Sequence, residues 1–87
     1  MNSENGYYKL GSKDELLKAW KKGIEVVFWL HGTMYTTGYY SNKIPTIATC
    51  PDGDLVHFSS WEKLGNEYFV NGKPIIDQWE YMEIDSM

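Results

Sequence analysis

The chain has no arginine, a single cysteine and no apolar run approaching the ~18 residues that a membrane-spanning helix requires. Each shortage removes a class of reading. Twelve acidic residues against eight lysines give a net charge of −4, so a clustered cationic surface for neutralising phosphates is absent and nucleic acid is not an expected partner. Cys50 alone excludes an internal disulfide, and no cysteine pair suggests zinc. A reducing compartment, the cytoplasm, follows. Residues 1 to 6 show neither a basic nor an apolar leader pattern, so neither export nor membrane association is expected, and this polar start is expected to fray. No glycine pattern cradles phosphates, and Asp52-Gly53-Asp54 is too short for a calcium loop of about twelve residues. No cofactor or metal is expected.

What is abundant is aromatic surface: four Trp and seven Tyr within 87 residues. A chain of this length forms one domain and buries only ~60 to 65% of its extended-state surface, so each large ring carries an appreciable share of a marginal stability. Residues 24 to 40 concentrate these groups. Two strands folded back at His31-Gly32 would pair Phe28 with Tyr35, Val26 with Thr37 and Ile24 with Tyr39 on one face. The opposite face would then carry Val27, Trp29, Met34 and Tyr40. One face suits a core; the other is either covered by more chain or open to a partner.

The remaining elements follow from local signals. Ser12 through Glu15 is a capping box that opens a helix with an apolar stripe of Leu16, Leu17 and Trp20, and Gly23 is placed to end it. Tyr7 to Leu10 reads as a short edge strand or a lead-in. Ile44 to Cys50 is a strand at an edge, or one starting after Pro45, and Leu55 to Phe58 returns beside it to complete a meander of about four strands. Ser59 and Glu62 repeat the capping pattern for a short second helix. From Tyr68 onward Asn71-Gly72 signals a hairpin, whereas Pro74, Ile75, Ile76, Trp79 and Met82 have helical spacing; helix is the preferred reading for 74 to 81, with 83 to 85 a final extended piece. The expected fold is α+β: an antiparallel sheet of about four strands packed with an N-terminal helix and one or two short C-terminal helices.

The order of a capped Asp14-Glu15-Leu16-Leu17 helix, an Ile24 to Phe28 strand, a glycine-tipped hairpin and a closing Asn71-Gly72-Lys73 followed by Ile76, Trp79 and Ile84 resembles a loose group of small uncharacterised proteins. These occur in Gram-positive bacteria and their prophages or mobile elements. The resemblance spans residues 12 to 84, with Pro45, Cys50 and Tyr39-Tyr40 outside its pattern. It implies an accessory role through protein binding and assigns no residue.

Catalytic constellations are sparse. Cys50 is the one thiol, and His57 is placed to approach it across the turn at 51 to 54, with Asp52 or Asp54 as orienter; His31, at a hairpin tip, is a weaker partner. An unpaired cysteine is more often a small buried hydrophobe. Asp77, Glu80 and Glu83 recur every three residues and read as a solvated acidic helix face. The sequence therefore points to a non-enzymatic intracellular protein-interaction module acting through Trp29, Met34 and Tyr40. A thiol-dependent protein using Cys50 and His57 is the first alternative, and single-stranded nucleic-acid stacking on the aromatic face is the second. Homodimerisation, through that face or the edge near Pro45, is left open.

Overall fold

A computed structural model describes residues 8–40, 43–50 and 53–87. Helix α1 (Lys13–Lys21) begins where the capping box places it: Ser12 Oγ accepts the Glu15 N–H at 3.2 Å. The Glu15 carboxylate reaches further back than the box requires. It takes the Gly11 N–H at 2.7 Å and the Tyr8 hydroxyl, which ties the first strand, β1 (Tyr8–Lys9), to the helix. At the other end Gly23 adopts φ 84, letting its N–H reach Trp20 O and the Ile24 N–H reach Ala19 O, each at 3.0 Å. This is a Schellman cap, and it consumes Ile24. Strand β2 (Val26–Leu30) consequently starts two residues later, and the expected pairing of Ile24 with Tyr39 does not form.

His31 at φ 52 and Gly32 at φ 81 give the two left-handed residues of a type I′ turn, whose twist matches the strands it joins. Strand β3 (Thr33–Tyr40) then pairs in the register that turn dictates, with Val26 opposite Thr37, Phe28 opposite Tyr35 and Trp29 opposite Met34. Strand β4 (Ile44–Cys50) follows, and the short β5 (Val56–His57) pairs with it only at Thr46 and Ile47. Pro45 lies inside β4. Its carbonyl accepts the Phe58 N–H at 2.9 Å, so the side of the backbone lacking an N–H faces the sparsely paired outer neighbour and not β3.

The sheet has six strands, not about four, in the order β1-β8-β2-β3-β4-β5, where β8 is the C-terminal Glu83–Ser86. The two further strands are β1, read from sequence as a short edge strand or a lead-in, and the C-terminal segment. Strand β8 (Glu83–Ser86), read from sequence as a final extended piece, inserts between β1 and β2 and satisfies the second edge of β2.

Helix α2 (Trp61–Glu67) is capped by Ser60, which accepts the Lys63 N–H at 3.1 Å, rather than by Ser59. With the cap one residue later, Glu62 pairs with Lys21 on α1 instead of reaching back along its own helix. The hairpin and helix signals after Tyr68 are both realised, in succession. Strands β6 (Phe69–Val70) and β7 (Lys73–Pro74) join through a second I′ turn, Asn71 at φ 53 and Gly72 at φ 81. Residues Ile75–Tyr81 then form a 3-10 helix broken at Gln78, where φ is −108 and ψ 19, in place of the expected α-helix.

All three helices meet the face of the sheet that carries Val26, Phe28, Leu30, Tyr35, Ile47 and Ile84. Trp20 stacks on Trp61 with centroids 4.9 Å apart and donates its indole N–H to Thr37 Oγ1 at 2.8 Å. The Thr37 hydroxyl in turn donates to the Val26 carbonyl at 2.8 Å. Trp20 is fully buried, and the Trp61 indole N–H is buried with no hydrogen-bond partner among the described residues. Gly65 brings α2 close to the 3-10 helix, because a β-carbon there would lie 2.9 Å from Ile76 Cβ.

Two outcomes are expected. Thr37→Val leaves the buried Trp20 N–H unpaired and lowers unfolding free energy by about 1–3 kcal/mol, read from urea denaturation. The second concerns acid stability. Hydrogen bonds from Tyr8 and Gly11 hold the Glu15 carboxyl below its ordinary 4.5, so the stability it lends is complete above that value and fades as pH falls through its lowered pKa. Glu15→Gln should therefore be less stable than the parent near neutrality, with the gap closing in acid when melting temperature is followed against pH.

Candidate interaction face

The helix-free side of the sheet is assembled row by row from the strand register. Trp29 on β2 is opposite Met34 on β3, which is opposite Cys50 on β4. The next row runs Val27, Thr36, Ala48, and the one beyond it includes Gly38, Thr46 and His57. On the far side Trp29 is flanked by Glu83 on β8, and Glu83 by Lys9 on β1. Period-two alternation places these residues together, away from the helices.

Val27, Trp29 and Met34 are half-buried, yet none packs against the core cluster. Ala48 is likewise buried yet outside that cluster. The face thus carries an apolar patch of its own. It is uneven as well: Trp29 and Met34 are large and half-buried, while Gly38, Thr46 and Ala48 are small and buried, with the Glu25 side chain lying against Gly38. Of the three residues picked from sequence, Trp29 and Met34 are direct cross-strand neighbours. Tyr40 belongs to β3 by its backbone, opposite Ile44, but its side chain is outside the described residues.

The same register separates Cys50 from His57. His57 is opposite Thr46, four residues along β4 from Cys50, or ~13 Å at the rise of a strand, well beyond hydrogen-bond reach. Its Nδ1 is instead 2.9 Å from Thr46 Oγ1. The expected approach across the turn fails because β5 pairs with the middle of β4, leaving Cys50 on the unpaired end. Cys50 is half-buried and free; Asp54 is exposed, and Asp52 lies outside the described residues. The acidic series also divides: Asp77 and Glu80 sit exposed on the 3-10 helix, with Asp77 3.7 Å from Lys13, whereas Glu83 belongs to β8. Among the described residues no group of three His, Cys, Asp or Glu could hold a metal ion, and no helix is long and apolar enough to cross a membrane.

One buried polar residue escaped sequence reasoning. Gln78, the only glutamine of the chain, is 4% exposed. Its amide nitrogen donates to the carbonyls of Val70 at 2.8 Å and Lys73 at 3.1 Å, so its oxygen must be the acceptor facing His31. His31 Nε2–H donates to it at 2.7 Å, while the imidazole leans on the Tyr81 ring. Gln78 therefore clasps the two I′ turns together beside a shallow polar cleft lined by Lys73, Asp77 and Glu80. A lone glutamine after an Ile-Ile-Asp run gives no sequence signal of this role.

Comparison of the chain with protein-family models, curated proteins and solved structures gives no match.

Gln78→Met is expected to strand two carbonyls and the His31 N–H, costing about 2–3 kcal/mol in urea unfolding. Amide hydrogen exchange should rise at both turns, more than elsewhere in the sheet.

Proposed function

We propose that the chain is a small non-enzymatic interaction module that works inside the cell and binds a protein through the helix-free sheet face centred on Trp29 and Met34, with Tyr40 as the third contact residue. The observation that carries this reading is the apolar patch of Val27, Trp29 and Met34, which lies apart from the core cluster and is only half-buried. Burying a large side chain contributes roughly 1.5–3 kcal/mol, so such a patch has binding energy to offer that the described part of the fold does not use. Charge supports a protein over nucleic acid. Lys9 is flanked by Glu83, and the α1 lysines lie on the opposite side of the sheet from Trp29. The free, half-buried Cys50 agrees with a reducing compartment. Resemblance to the small Gram-positive and prophage proteins points the same way, to an accessory role.

Replacing Trp29 and Met34 together by Ser tests this. The double variant is expected to keep its circular dichroism spectrum and to lose no more than about 2 kcal/mol in urea unfolding, whereas Phe28→Ala on the covered face should cost about 3–5 kcal/mol. Global unfolding of the double variant would make the face part of the core and end the reading.

A further inference from the structure

We infer that the groove at the C-terminal end of α1 binds a small phosphate-bearing anion, at a site separate from the Trp29 face. Lys21, Lys22, Gly23, Tyr39 and Lys43 line it, around a space of about 380 Å³ open to solvent. Along the sequence the lysines form no cluster, but folding gathers three of the eight here and sets no carboxylate among them. In a protein of net charge −4 this is a local reversal of sign.

Two of the lysines have an ordinary explanation; the third does not. Lys21 and Lys22 end α1, where cations suit the helix dipole. Lys43 comes from a different element, closing the three-residue connection between Tyr40 and Ile44 at φ 56. The left-handed position of such a connection is by preference glycine, the residue that takes φ 81 in both two-residue turns, at Gly32 and Gly72. A lysine there holds a backbone conformation that its side chain disfavours, and the groove gains a third ammonium group. A strained residue of this kind points to a role beyond folding.

The surroundings leave the charge available. Lys21 is paired with Glu62, whereas Lys22 and Lys43 have no ion pair among the described residues. The helix end, whose carbonyls would repel an anion, is muted, because those of Lys18, Ala19 and Trp20 accept the N–H groups of Lys22, Ile24 and Gly23. Tyr39, 37% exposed, adds a fixed aromatic wall. Its ring lies edge-on to Trp61 with centroids 5.4 Å apart, and beside Gly23, where a β-carbon would be 3.7 Å from it. Ammonium groups act on phosphate as point charges, so three converging on one groove suit a compact, multiply charged anion better than a single carboxylate. A groove of this size takes a few phosphate units, not the long backbone of a nucleic acid, which needs an extended cationic track.

Titration with inorganic tripolyphosphate at low ionic strength, followed by amide chemical shifts, tests the site. The shifts should concentrate at residues 21–23, 39 and 43, saturate, and weaken as salt is added. Lys43→Gly carries the sharpest contrast: it removes the ammonium and relieves the backbone, so melting temperature should rise while binding weakens about three- to tenfold. Lys9→Ala, on β1, changes the net charge by the same amount away from the groove and should leave binding within about twofold of the parent. A nucleoside triphosphate run in parallel separates two sources of the phosphate. Binding tighter than tripolyphosphate, with the excess removed by Tyr39→Leu, identifies a nucleotide; equal or weaker binding identifies the phosphate chain alone. No saturable shift, shifts spread evenly over all the lysines, or Lys43→Gly binding as the parent does would each overturn the site.

Discussion

The register of the β2–β3 ribbon is the constraint on which everything else turns. His31 and Gly32 both sit in the left-handed region, which closes the turn at two residues and leaves no freedom in how Val26–Leu30 meets Thr33–Tyr40. A slip of one residue would exchange the faces, sending Phe28 and Tyr35 to solvent and Trp29 and Met34 toward the helices. The Trp20 indole selects the same register from the other side. Its partner is Thr37, and Thr37 is in turn bonded to Val26, its neighbour across the ribbon. Helix, turn and strand pair thus agree on one alignment, and the division of side chains between covered and uncovered faces is a consequence of it.

The helical layer is matched to that alignment by close contacts rather than by length. α2 has seven residues and the 3-10 helix another seven, too short to be stable alone. They persist because Gly65 lets them approach, Trp61 lies flat on Trp20, and Gln78 binds the 3-10 segment to both hairpin tips. Satisfying Gln78 helps explain the irregular backbone there.

What the sequence disclosed was local. The Ser12 box, the Gly23 stop, the turn at His31 and the two-sided loading of residues 26 to 37 are all decided within a few neighbours, and each forms as its residues suggest. The near misses are also local: Ser59 and Ser60 are equivalent caps by type, and the ion pair between Glu62 and Lys21 accompanies the later one. The larger misses are non-local. Nothing in Glu83-Ile84-Asp85-Ser86 announces that it will lie between β1 and β2, because its partners are 54 or more residues upstream and the stretch is half acidic. The offset of β5 along β4, which parts His57 from Cys50, is likewise set by tertiary pairing and not by turn chemistry. For the uncovered face, the pattern named Trp29 and Met34 correctly as neighbours but could not say that the covering helices would all choose the other side.

The placement of β8 also governs the order in which this molecule comes into being. A chain made from its N-terminus presents Val26 to Leu30, a strongly apolar strand, long before residues 83 to 86 exist to bond its free edge. During that interval the nascent ribbon is an open template for any extended segment nearby. Synthesis therefore passes through a stage of intrinsic stickiness that ends only when the late segment slots into the middle of the sheet, so the finished protein is far less prone to coalesce than its own precursor.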